Sequence, residues 1–244
     1  MAGRTRPPPP TLGGRAVDAR DLPALLTGMR RAARTGQDLS AFSARTLAHH
    51  TQADCLTLTL ISAQGALEVL WADPADHVGL PLEDLQYTLG EGPTVDAAHT
   101  HHLITVPDLH TATRWPALAD AAPAARAIAA LPVRLGVIVP AVLTACRTTP
   151  TPFTPDQLTT LTTVTHALIH PLLHTTIHPT DTGPGTPDLL RAEVHQAAGI
   201  TAADLDIPIE QALLRLRSHA FAGGRPLREI AHDVVTGRLH LDPT

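Results

Sequence analysis

The sequence predicts an α+β domain, an antiparallel sheet flanked by helices, followed by a small all-α bundle of three helices. Three observations carry this. Residues 56–61 alternate Leu and Thr, and the same period of two returns at Leu67, Val69 and Trp71, as half-buried strands require. Two more runs, 127–133 and 137–146, are built from Ala, Val, Ile and Leu and are separated by Arg134-Leu135-Gly136, a short glycine turn. From Asp188 onward the apolar residues recur instead at helical spacing.

Taken in order, residues 1–17 hold Arg4, Arg6 and Pro7 to Pro10 and read as a disordered tail on a cytoplasmic protein, with no apolar run fit to span a membrane. Leu22, Leu25, Leu26 and Met29 predict a first helix, and a second runs from about residue 39 to 50. The strand pair 56–61 and 67–71 is a hairpin around Ser62-Ala63-Gln64-Gly65. Helical or looped excursions follow over 81–100 and 115–126, with a short fifth strand at 103–106 between them. Strands leaving and returning in this order suit an antiparallel sheet with its helices to the side.

Thr154-Pro155-Asp156-Gln157 is a helix start: a capping threonine, proline in the first turn and glutamine where a capping box needs it. Leu158, Leu161, Thr165, Leu168 and Leu172 then keep a heptad-like seam, which either packs on the chain's own sheet or pairs with a second copy. Pro171 should kink or end this helix. Residues 179–187, rich in Thr, Gly and Pro, form a linker between a domain at 18–178 and a second at 188–244. In the latter, Leu190, Val194 and Ala197 share one helix face. Ile209, Ala212, Leu213 and Leu216 share another, and Leu227, Ile230, Ala231 and Val234 a third. Gly223-Gly224 and Gly237 are the stops.

Composition narrows the functions open to the chain. Aromatic residues are 2% of the total, which argues against base-stacking platforms. All 18 basic residues are arginine and the formal net charge is −5, so any contact with nucleic acid must be local rather than a coating of polyanion. Cys55 and Cys146 lie far apart in strand-like surroundings, in neither a metal spacing nor a disulfide framework, which favours a reducing compartment. Both read as small buried apolar residues rather than nucleophiles, and no enzyme activity is expected. His99, His101, His102 and His110 match no zinc spacing and read as solvated histidines.

Three segments carry a resemblance. The stretch from Arg191-Ala192-Glu193-Val194-His195 through Glu210-Gln211-Ala212-Leu213-Leu214-Arg215-Leu216-Arg217 to Pro226-Leu227-Arg228-Glu229-Ile230 resembles an ANTAR domain. Leu85-Gln86-Tyr87-Thr88-Leu89-Gly90-Glu91-Gly92-Pro93, Val106-Pro107-Asp108-Leu109 and Arg114-Trp115-Pro116 resemble the GAF domains that precede ANTAR domains in many actinobacterial regulators. The resemblance implies an α+β GAF sensory domain followed by an ANTAR bundle. It implies a homodimer that binds hairpin loops in nascent messenger RNA and prevents transcription termination in response to a small molecule or redox signal.

Within that pattern Ala197, Gly199, Arg215, Arg217 and Ala220 resemble the RNA-binding face, and Arg225 and Arg228 add cations to it. Arginine suits the task because its guanidinium forks onto phosphate and stacks on an unpaired base. Against this, residues 188–244 hold six arginines and eight carboxylates, and Ala198 stands where many ANTAR domains carry lysine. The alternative is a sensory dimer acting through protein contacts. Gly90-Glu91-Gly92-Pro93 lacks the Lys-Ser/Thr ending of a phosphate loop and reads as a turn before a helix. In the family this loop lies beside the sensory pocket, which makes Tyr87, Glu91 and Trp115 the candidate ligand neighbours. The ligand or cofactor itself is not identified by the sequence.

Overall fold

In the computed structural model, which describes residues 22–61, 67–121, 124–175 and 192–241, the alternating stretches form one antiparallel sheet. Its strands are β1 (Cys55–Ile61), β2 (Leu67–Trp71), β3 (Ile104–Val106), β4 (Ala127–Leu135) and β5 (Ile138–Arg147), ordered β2-β1-β5-β4-β3. The tail at 1–17, the linker at 179–187 and the turn at 62–65 lie outside the described residues. Helices α1 (Leu22–Arg34), α2 (Ala44–His50), α3 (Gly79–Leu89), α4 (Pro93–Thr100), α5 (Pro116–Asp120) and α6 (Pro155–His174) surround the sheet.

Because successive strand residues point to opposite faces, the sheet has two different sides. Leu56, Leu58, Leu131, Val133 and Leu143 face α1, α2 and α6 and form the larger apolar core with Met29, Leu47, Leu161 and Leu168. Arg147, at the end of β5, fixes the entry to α6. It donates to the carbonyls of Gln52, Thr151 and Pro152 while its guanidinium lies 4.2 Å over the Phe153 ring.

The helix start at Thr154 is the expected capping box: Thr154 Oγ1 accepts from Gln157 N, and Gln157 Oε1 accepts from Thr154 N. The helix runs past Pro171 for three residues, since a proline in the last turn forfeits one backbone bond and no more. Of the two readings of its seam, the structure takes the first. Leu161, Thr165, Leu168 and Leu172 are buried within this chain against its own sheet.

The opposite face is covered by α3, α4 and α5, with Leu82, Val106, Leu109, Trp115, Leu118 and Ile128 as its apolar layer. Here the reading of the cysteines is overturned. β1 and β5 are neighbours, their register sets Cys55 opposite Cys146, and the two are joined as a disulfide with Cα atoms 5.3 Å apart. A separation of 91 residues hid a pair that strand order makes adjacent. The argument for a reducing compartment rested on unpaired thiols and falls with it.

The C-terminal helices are α7 (Ala192–Leu205), α8 (Ile209–Ala222) and α9 (Leu227–Val235). Val194, Ala197, Leu216, Ala220, Ile230 and Val234 meet in a core of their own. Gly224 supplies the left-handed residue that ends α8, with φ of 58°, and lets Arg225 N donate back to Ala220 O.

Candidate functional site

The layer between the sheet and the α3–α4 pair is polar at its centre. Thr57 of β1 and Thr144 of β5 are cross-strand partners on this face, and above them sit Glu83 and Gln86 of α3 and Thr94 of α4. All five are buried. Thr57 Oγ1 donates to Glu83 Oε1 at 2.9 Å, and Thr94 Oγ1 donates to the same oxygen at 3.0 Å. Thr94 Oγ1 also meets Gln86 Nε2 and Thr144 Oγ1, each at 2.9 Å. A hydroxyl has one hydrogen and two lone pairs, so with Glu83 as its acceptor, Gln86 and Thr144 are its donors and its capacity is filled.

Gln86 performs a second task. Its Oε1 accepts from Thr94 N at 2.8 Å, capping the first turn of α4 where the backbone has no partner of its own. The chain reaches that turn through Gly92 at φ of 140°, packed so close to the Gln86 carboxamide that any Cβ would collide with it. Glycine is therefore required at 92. Burying a carboxyl group is costly unless it is hydrogen-bonded, and hydroxyls from β1 and α4 meet that condition for Glu83. A polar cluster in a helix-covered sheet face can recognise a small polar ligand by exchanging these internal partners for the ligand's own groups.

Of the three ligand neighbours read from sequence, Trp115 and Glu91 both lie at α5 and Tyr87 does not. Trp115 is buried in the apolar layer and donates from Nε1 to Asp96 Oδ2 of α4 at 3.1 Å. Glu91 Oε1 accepts from Leu118 N at 3.4 Å, beside Trp115 on α5. Tyr87 instead turns away from the sheet and is buried in the apolar core of the C-terminal helices. The five polar residues at the centre escaped the sequence reading. Thr57 looked like the polar half of an alternating strand, and nothing local marks Glu83, Gln86 or Thr94 as buried. Bonded to the same layer, Cys55 also borders a cleft of about 240 Å³ shared with Arg45, Asp73 and Asp76.

The candidate RNA face is distributed. Ala197 and Ala220 are fully buried in the core of the three helices, Gly199 and Arg228 are exposed, and Arg215 and Arg217 are half-buried. Residues two apart on a helix stand about 200° apart, so Arg215 and Arg217 flank the buried stripe of α8 on opposite sides. Arg225 is bound to Asp233 at 2.7 Å and to Glu229 at 3.4 Å, and Arg238 reaches Asp233 at 3.0 Å. Hydrogen bonding from Arg225, with help from Arg238, holds the Asp233 carboxyl below the usual carboxylate range.

Arg217 has the most informative position. Its guanidinium lies 4.7 Å from the centroid of the Tyr87 ring, and its Nη1 lies 3.5 Å from where a Cβ on Gly90 would stand, at the C-terminal cap of α3. An aromatic face and the negative end of a helix both favour a cation there. A second tie joins His195 Nε2 of α7 to Glu68 Oε1 of β2 at 2.6 Å. The three-helix unit is thus docked against α3, which carries Glu83 and Gln86, and against β2.

Among the described residues no group of three or more His, Cys, Asp or Glu is placed to hold a metal ion, and no helix is long and apolar enough to cross a membrane. No curated protein matches the chain. Two solved structures similar to it are GAF domains of phosphoenolpyruvate-protein phosphotransferases. The one from Acinetobacter is 14% identical, with 64% of this chain and 98% of that one aligned at a TM-score of 0.47. The one from Coxiella burnetii is 12% identical, with 64% and 95% aligned at a TM-score of 0.49. The family model described as GAF domain matches residues 19–168, ending before the C-terminal helices. With that match over more than half its length, the chain belongs to the GAF domain family.

Proposed function

We propose that the chain is a ligand- or redox-responsive transcription antitermination regulator whose C-terminal helices, an ANTAR domain, bind hairpin-loop RNA when released from the GAF domain. The observation that carries this reading is the seat of Arg217 on Tyr87. Tyr87 immediately follows Gln86 on α3, so one helix bears both the polar cluster and the docking contact. A ligand that exchanges partners with Glu83, Gln86 and Thr94 moves α3, and it favours release only in so far as it binds the undocked arrangement more tightly. Arg217 is then free to meet phosphate or an unstacked base. GAF membership supports the sensory half of the reading, and the ANTAR resemblance supports the output half. The regulator acts as a homodimer and catalyses no reaction.

A second reading is a sensory dimer that works through protein contacts. The pairing of Arg225 with Asp233 and Glu229 and of Arg238 with Asp233 favours it, since those cations already have carboxylate partners.

Gel shifts with a two-hairpin RNA over a salt series separate the two. The parent chain, Tyr87→Ala, Arg217→Ala and the double variant are compared. The regulator reading expects Tyr87→Ala to bind about tenfold more tightly than the parent, and Arg217→Ala to abolish that gain, with affinity falling as salt rises. Absence of salt-sensitive binding in all four at low salt establishes the second reading instead.

A further inference from the structure

A cavity of about 600 Å³ lies in the groove between α1 and α6, on the side of the sheet away from the polar cluster. Arg30 and Arg34 of α1 form one wall and His166, His170 and His174 of α6 the other, with Thr163 and Ala167 between them. Each row repeats every four residues. At 1.5 Å per residue, successive groups are about 6 Å apart and the three histidines span about 12 Å. Among the described residues no Asp or Glu lines the groove, in a chain whose formal net charge is −5.

These are the features of an anion site. The two arginines carry permanent charge and fork onto phosphate oxygens. The histidine rings add hydrogen-bond donors. The length of the ladder exceeds what one phosphate can use. The lining holds no Phe, Tyr or Trp, and the Thr163 hydroxyl already donates to Thr159 O at 2.9 Å. We propose that this groove binds the phosphate chain of an oligophosphate, two or more linked phosphates. The site stands apart from the sensory layer and does not depend on the reading of the C-terminal helices.

Among the described residues, the elements packed against α6 bring one carboxylate, that of Asp38, near the C-terminal end of the ladder. The strand beneath contributes the apolar Ala129, Leu131 and Val133. At the C-terminal end of α6, the Asp38 carboxylate accepts from Ser40 N at 2.9 Å and from Ser40 Oγ at 2.6 Å. Arg30 and Arg34 are the facing charges from α1.

Calorimetric titration of the full chain with inorganic triphosphate, ATP and orthophosphate tests this. Triphosphate and ATP are expected to bind equally well within about threefold, and orthophosphate at least about tenfold more weakly. Arg30→Gln/Arg34→Gln should lose about tenfold in triphosphate affinity with an unchanged circular dichroism spectrum. His166→Gln/His170→Gln/His174→Gln, also on exposed positions, should weaken triphosphate binding as well. The proposal is overturned by lack of saturable triphosphate binding, by binding of ATP alone, or by an arginine pair variant that binds like the parent.

Discussion

The guanidinium of Arg217 sits 4.7 Å above the Tyr87 ring and so joins α8 to α3 across 130 residues of chain. A cation–π contact of this kind contributes about 0.5–2 kcal/mol, a share of the docking small enough to be reversed by a ligand. Tyr87→Ala should therefore leave both units folded but apart. Small-angle scattering is expected to give a larger radius of gyration than for the parent, with the circular dichroism spectrum retained. An unchanged radius would mean that other contacts dominate the docking.

Thr94 closes the polar cluster from above. Thr94→Val keeps the shape but leaves Glu83, Gln86 and Thr144 each short of a partner, at a cost of about 1–3 kcal/mol per buried group left unsatisfied. The urea midpoint should fall accordingly. A variant as stable as the parent would show that water enters the layer and replaces the hydroxyl.

Gly92→Ala confronts both a φ of 140° and a collision with the Gln86 side chain. Because Gln86 caps α4, relief of the clash uncaps that helix. A loss of about 2 kcal/mol or more is expected in thermal unfolding, and Gln86→Ala combined with it should recover part of the loss by removing the obstacle.

Cys55 and Cys146 close a loop of 91 residues within one sheet. A disulfide over such a span stabilises the folded state by about 2–4 kcal/mol. Adding a dithiol should lower the melting temperature of the parent and have no effect on Cys146→Ala. Identical melting of the parent in both conditions would count against a contribution of the bond to stability.

Asp108 and Arg126 supply a pH dependence. Arg126 donates to the two Asp108 oxygens at 2.7 and 2.6 Å, and this pairing holds the carboxyl below its ordinary 3.8. A carboxyl depressed in the folded state binds its proton more readily when unfolded, so its stabilisation is complete above the ordinary value and is lost as pH falls through the depressed one. Stability of the parent should exceed that of Asp108→Asn at neutral pH, and the difference should close below about pH 4. A gap constant across that range would refute the assignment.

The sheet was legible because β1 and β2 keep a period of two and β4 and β5 are largely apolar runs around a glycine turn, and the helix at Thr154 because its capping box is written in four consecutive residues. What was hidden depends on who lies beside whom. Cys55 meets Cys146 only once β1 lies next to β5, and Thr57, Thr144, Glu83, Gln86 and Thr94 read singly as ordinary surface residues. Tyr87 was read as a ligand neighbour and lies instead in the core of the C-terminal helices, because which way it points is set by the phase of α3 against the sheet. Gln86 faces in and so its neighbour, about 100° further around the helix, faces α8.

That neighbouring pair has a thermodynamic corollary. Gln86 and Tyr87 ride on the same rigid turn, so occupancy of the polar layer and detachment of α8 draw on one free energy. Linkage makes such a coupling reciprocal: whatever factor a signal contributes to detachment, a partner that captures the detached helices returns to the affinity for the signal. Output then acts as an effector of input, and the sensor's apparent sensitivity shifts with the concentration of whatever it controls.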